Sequence, residues 1–317
     1  MYDVVDLLNG ARVTAQYVNR ALSQGILCIH VTVNNFSVID PYPDFSSSMR
    51  ELAAIRKHLA ALDNVRVVEE FADITAARSK GKLAVILGYQ NIPFIGRDLR
   101  LLDLYHNLGV RIFQISHNAR GLYADGCDEP SDAGLSTLGR ELVSALNELG
   151  ILIDLSHTGE QSSIEAAQIS TRPVAATHAN AHSVLQNARN KGDGSIDAIA
   201  KTGGIIGLCY LPPIVKKGAP TKADLTAHAV YLKDRMGSAG LAIGSDFIDD
   251  QPDSRYANFL KRPEVYGEWP WRYPVESLEA QQEWLSSLAD DGFTEEDISA
   301  LAGGNALRVL EQVWRKQ

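Results

Sequence analysis

Along the chain, short uninterrupted apolar runs alternate with stretches whose apolar residues recur every three to four positions. Eight such runs lie at residues 4–8, 26–33, 83–89, 110–116, 151–156, 173–178, 204–210 and 241–246. Each is rich in Val, Ile and Leu and continuous, the pattern of a parallel strand covered on both faces. Helical spacing marks the stretches between them, at 15–24, 47–62, 99–108, 136–149, 160–169, 195–202 and 221–236. Leu149-Gly150 and Gly203-Gly204 put glycine where a helix would end and a tight turn into the next strand begin. The alternation predicts an α/β chain, a single (β/α)8 TIM barrel with residues 1–317 forming one domain. A doubly wound open sheet would alternate too, but no GxGxxG follows the first run, so its dinucleotide-binding version loses its main support.

The length of 317 residues exceeds the roughly 250 of a plain barrel. Two insertions account for the excess. Residues 34–82 are long enough for two helices, and the tail after Asp246 holds two or three extra C-terminal helices. Trp269, Trp271, Tyr273 and Pro274 in that tail either line a pocket or anchor a loop or subunit contact.

The polar residues that interrupt this pattern fall at strand ends. Gln90 and Asn91 follow the third run, His117 the fourth, His157 the fifth and His178 the sixth; Asp246 ends the eighth. In a barrel these ends converge on one mouth, where the chemistry of such enzymes is found. His30, His58, His106, His182 and His228 show no comparable spacing, and His106 and His228 sit inside helical stretches. Neutral imidazole suits zinc, and a catalytic zinc keeps a position open for water. His157 and His178 are the natural pair of metal ligands. Asp246 is the candidate general base, and His117 the group that polarises a carbonyl or steadies its oxyanion. Asn91 is a candidate substrate contact. Arg189 lies in the loop after the sixth run, placed either to capture a substrate carboxylate or to form a surface salt bridge. Tyr89, Tyr123, Tyr210 and residues 269–273 are the candidates for specificity.

Charge and composition narrow the partners. A net charge of −9 opposes binding to a phosphate backbone, and no basic cluster makes a local exception, so nucleic acid is excluded. Cys28, Cys127 and Cys209 are odd in number and lack CxxC spacing, which argues against a disulfide framework. The first residues lack a basic and then apolar leader, and no apolar run reaches membrane-spanning length. A cytoplasmic protein with a small-molecule substrate and no membrane partner is expected.

The runs IDLSHTG, ATHANAHSV…NARNKGD, GLAIGSD and GGNALRVL, with GVRIFQISHN…GLSTLGRELVSALNELG, resemble the membrane dipeptidase (renal dipeptidase) family of metallopeptidases. The resemblance spans nearly the whole chain. It implies a (β/α)8 barrel with a binuclear zinc site that hydrolyses dipeptides, often with a D-residue at the C-terminal position, and a homodimer. Residue by residue, His157 and His178 match the two histidines of one metal. His117 matches the substrate-binding histidine, Arg189 the arginine that pairs with the substrate carboxylate, and Asp246 the aspartate ending the last strand.

The chain departs from the family at three ligands. Leu8 and Gly10 occupy the positions of a first-strand His-x-Asp pair, and Gln90 that of the bridging glutamate. A neutral amide supplies no charge to a bridge between two dications. Asp6 is a less favoured substitute, since it lies two residues before the ligand position and deeper in the strand. The expectation is one Zn2+ at most, held by His157, His178 and Gln90 or Asp246 with water. Three readings stay open. The first is a dipeptidase-like hydrolase of a small amide bearing a carboxylate. The second is a metal-independent acid/base enzyme (lyase, isomerase or hydrolase), and the third a non-catalytic small-molecule-binding homologue.

Overall fold

In the computed structural model, residues 1–33, 43–248 and 271–315 are described. Nine strands form: β1 (Val4–Asp6), β2 (Ile26–Thr32), β3 (Val65–Val67), β4 (Leu83–Gln90), β5 (Val110–Gln114), β6 (Leu152–Asp154), β7 (Ala175–Ala176), β8 (Ile205–Leu208) and β9 (Leu241–Ile243). Eight of them close into a parallel ring, β1-β2-β4-β5-β6-β7-β8-β9, with β9 returning to β1 through Asp6 and Ile243. Helices lie between successive strands, so the fold is the (β/α)8 barrel. All eight expected runs became strands, each ending one or more residues earlier except the third, which extends to Gln90.

β3 was not anticipated. Three residues between two helices are too few to show a period. It pairs with residues 83–85 of β4, whereas β5 pairs with residues 87–90 of the same strand. β3 therefore wedges in at the foot of the barrel, outside the ring.

Helix ends follow local chemistry. In α5 (Thr137–Leu149), the Ser136 hydroxyl accepts from Gly139 N at 3.0 Å, and Gly150 closes the helix at φ 69°. The stretch from 34 to 82 contains the two expected helices, α2 (Phe45–Ala60) and α3 (Phe71–Ser79).

Side chains two apart on a strand share a face, so the barrel interior divides by height. Its lower half is apolar. Val5, Leu7, Ile86, Ile112, Leu152, Ala175, Ile205 and Ala242 cluster with Ala306, Val309, Leu310 and Val313 of the last helix, Asn305–Trp314. That helix plugs the bottom. One step further along the same faces come Gln114, Asp154 and Thr177, all fully buried and polar. The core thus turns polar toward the mouth, where the strand-end residues converge.

Candidate active site

Among the described residues, three non-glycines adopt positive φ: Asn91 (93°), Asn118 (59°) and Asp246 (53°). All three follow barrel strands at the mouth. Such conformations cost of order 1–3 kcal/mol and cluster at functional sites, where surrounding structure holds them.

Two buried aspartates brace the mouth. Asp154, ending β6, accepts from Ser156 N (2.9 Å), Ser156 Oγ (2.5 Å), Thr177 N (2.9 Å) and Thr177 Oγ1 (2.7 Å). Asp6, ending β1, accepts from Ser245 N (2.8 Å), Ser245 Oγ, Asn9 Nδ2 (2.9 Å) and Leu8 N (3.3 Å). Burial pushes the Asp6 carboxyl up to about 6 although its four donors pull the other way. Its carboxylate oxygens are engaged by these internal donors beneath the mouth.

Three imidazoles meet above this layer. His117 stacks on His157 with centroids 4.0 Å apart, and His157 Nε2 lies 2.9 Å from His178 Nε2. His157 Nδ1 is 2.6 Å from Asn118 Oδ1, and His178 Nδ1 is 2.8 Å from Thr177 Oγ1. Enclosure, then the Arg189 guanidinium, hold His117 down to about 4 and the other two well below the usual histidine value.

Arg189 is buried rather than a surface arginine. Its Nη1 donates to Ser156 O and its Nη2 to His178 O, at 3.2 Å. Two of its five N–H groups thus tie together the strand ends that carry the histidine pair. No described carboxylate pairs with it. Lys191 is buried beside it, its Nζ donating to Thr158 O (2.6 Å) and Ser163 Oγ (3.1 Å), and burial lowers it to about 8.

Gln90 ends β4 opposite Gln114, and Asn91 turns the chain beyond it, its Oδ1 accepting from Ile92 N at 3.1 Å. Asp246 follows β9, its backbone N–H bonded to Leu8 O at 2.9 Å.

Several expected residues have other duties. Tyr89 packs in a buried aromatic cluster with Phe94, Tyr105 and Phe113, and Tyr210 receives a bond from Gln281 in the core. Both side chains are fully buried. Tyr123 donates to Gly96 O and is equally buried. Trp271 packs against the cluster of Cys209, Leu211 and Ile214, and the Tyr273 hydroxyl reaches Asp246 O at 3.4 Å. Trp269 lies outside the described residues. His228 is structural, bridging Ala181 N and Val215 O.

Sequence reasoning passed over Asn118, Asp154, Thr177 and Lys191, although each stands within a few residues of a chosen one. His30 was also passed over. Its Nδ1 bonds Leu7 O at 2.6 Å, its Nε2 has no partner, and a Cβ at Gly88 would sit 2.2 Å from that nitrogen. Glycine at 88 is what makes room for the ring.

The facing Nε2 atoms of His157 and His178 fit one divalent cation. Nitrogens on one tetrahedral zinc lie ~3.3 Å apart, given Zn–N bonds of about 2.05 Å. The pair at 2.9 Å needs to open only by a few tenths of an ångström. The β1 side offers nothing comparable: Leu8 is buried, and a Cβ at Gly10 would meet Ile248 Cγ2 at 2.8 Å and Phe247 O at 2.9 Å. Among the described residues no three His, Cys, Asp or Glu side chains gather as a ready-made metal cage.

Comparison with known proteins bears on this arrangement. Residues 10–264, about four-fifths of the chain, match the model of the membrane dipeptidase family, peptidase family M19. The chain belongs to this family. Dipeptidase tcpJ of Claviceps purpurea is 27% identical over 256 residues, 79% of this chain and 56% of its own length. Dipeptidase aclJ of Aspergillus oryzae is 28% identical over 242 residues, covering 74% of this chain and 53% of its own. The chain thus spans about half the length of these dipeptidases. An amidohydrolase structure from Pseudomonas aeruginosa superposes with a TM-score of 0.88 at 28% identity, over 99% of this chain and 97% of that one. Within this M19 barrel the histidine pair, Arg189 and Asp246 occupy the mouth, while just beyond β1 Leu8 is buried and Gly10 is crowded by Ile248 and the Phe247 carbonyl. No helix among the described residues is long and apolar enough to cross a membrane.

Proposed function

We propose that the protein is a dipeptidase-like hydrolase of a small amide or dipeptide bearing a carboxylate, working with a single divalent cation held by His157 and His178. The observation that carries this reading is the facing pair of imidazole nitrogens beside a buried guanidinium that no described carboxylate neutralises. When bound, the ion supplies Lewis-acid polarisation and a more acidic water. Gln90 is the neutral third donor nearest in the chain's logic, at the end of β4. Asp246 accepts the proton of the attacking water. His117, neutral at pH 7 because its pKa is near 4, offers an N–H to the carbonyl oxygen as charge develops there. Arg189, already fixed by two backbone carbonyls, directs its remaining N–H groups to the substrate carboxylate, and Asn91 borders the same mouth. Zinc as the ion and a homodimer rest on the family resemblance, and a cytoplasmic setting rests on the sequence pattern alone.

A metal-independent acid/base enzyme is the second reading. What favours it is the cationic field of Arg189 and Lys191 around a donor set with no gathered carboxylates, which weakens any dication.

The test compares dipeptides with their C-terminal amides on zinc-equilibrated enzyme. Charge-assisted hydrogen bonds of about 1.5–3 kcal/mol correspond to a preference of roughly 10- to 100-fold in kcat/KM for the free carboxylate. Chelation abolishes turnover on the first reading and leaves it intact on the second. Equal rates on acids and amides would overturn the role given to Arg189.

A further inference from the structure

We propose that Asn118 and the Asp154–Thr177 pair are positioning residues that fix the tautomers of His157 and His178, so that both Nε2 lone pairs are aimed at one shared point. The purpose of that arrangement, clamping one cation, rests on the functional reading above. The tautomers themselves do not, since the hydrogen bonds that set them are internal to the chain.

Thr177 has one hydroxyl proton, and its Oγ1 lies 2.7 Å from Asp154 Oδ2. The other carboxylate oxygen, Oδ1, already accepts from Ser156 N, Ser156 Oγ and Thr177 N. The Thr177 hydroxyl donates to Asp154 Oδ2, so its one proton is spent there. What Oγ1 has left for His178 Nδ1, 2.8 Å away, is a lone pair. Nδ1 of His178 must therefore carry hydrogen.

His157 reaches the same state through a different partner. Its Nδ1 lies 2.6 Å from Asn118 Oδ1, an amide oxygen with no proton to give. Cys127 Sγ lies 3.4 Å from the same oxygen, a second donor toward it. The left-handed backbone at Asn118 (φ 59°) holds the amide there.

With hydrogen on both Nδ1 atoms, the two Nε2 atoms at 2.9 Å cannot each donate. With both rings neutral no proton lies between them, so two lone pairs meet at 2.9 Å, a contact that a cation placed between them relieves. Two imidazole lone pairs in a cleft beneath a guanidinium make a clamp for one positive centre. Partners of this kind raise ligand basicity and fix ring orientation, and their loss typically lowers metal affinity 10- to 100-fold.

Nitrogen-15 NMR of the metal-free wild type, with His157 and His178 assigned through single substitutions, reads the tautomers directly. The expected result is hydrogen on Nδ1 of both rings. A bare Nδ1 with Nε2–H on either ring overturns the inference, whether or not metal binds. Thr177→Val tests the relay: His178 loses its Nδ1–H preference and Co2+ affinity, followed by visible absorption, falls 10- to 100-fold. Thr177→Ser, which restores the hydroxyl, restores both. Wild-type affinity and tautomer in Thr177→Val also overturn it. Nδ1–H on both rings in protein that takes up no cation would sink the metal-dependent function and leave the inference standing.

Discussion

At the scale of single residues, the mouth is a set of groups kept from their ordinary protonation. Unfolded, His117, His157 and His178 take up protons near pH 6.5. Folded, enclosure and Arg189 hold His117 to about 4 and the other two well down. The unfolded chain then binds more protons across that window, so this contribution to stability is complete above about 6.5 and is lost as pH falls toward 4. Asp6, raised to about 6, acts in the opposite sense, its burial costing more as pH climbs from about 4 to 6. Three imidazoles outweigh one carboxyl. Urea midpoints of metal-free protein are expected to drop between pH 7 and pH 5, and to drop less in His117→Asn. A midpoint that holds or rises on acidification contradicts this account. The three histidines were legible because they end successive strands. Asn118 and Thr177 were not, because a neutral side chain beside a histidine looks like any turn or strand residue until its hydrogen bond is seen.

At the scale of elements, the apolar runs located all eight barrel strands, since a parallel strand buried on both faces has no other way to be written. β3 escaped because it is three residues long and pairs only with the foot of β4. The chain just beyond β1 is closely packed. Asn9 bridges Phe247, Leu8 is buried, and Gly10 abuts Ile248 and the Phe247 carbonyl. The missing His-x-Asp pair was readable from sequence, but the lack of room to restore it was not. The double variant Leu8→His/Gly10→Asp is therefore expected to lose about 1–3 kcal/mol of stability through overpacking. It should gain no metal when titrated by equilibrium dialysis. A second ion per chain in that variant would mean the β1 end can open.

At the scale of the molecule, one gradient organises the barrel. The last helix seals an apolar floor, the middle layer is buried and polar, and the mouth carries imidazoles, a guanidinium and Asp246. The fold came from periodicity and the mouth from strand ends. Tyr89 and Tyr210 stand at strand ends in the sequence, yet their rings pack in the core, a direction that periodicity does not show. On the proposed function this mouth holds one cation between His157 and His178. Metal content by inductively coupled plasma mass spectrometry tests it most directly, on protein purified without chelator or histidine tag, equilibrated with zinc and gel-filtered. The account predicts one ion per chain in the wild type and none retained in His157→Ala/His178→Ala. Two ions per chain, no ion at all, or one that survives the double substitution would contradict it.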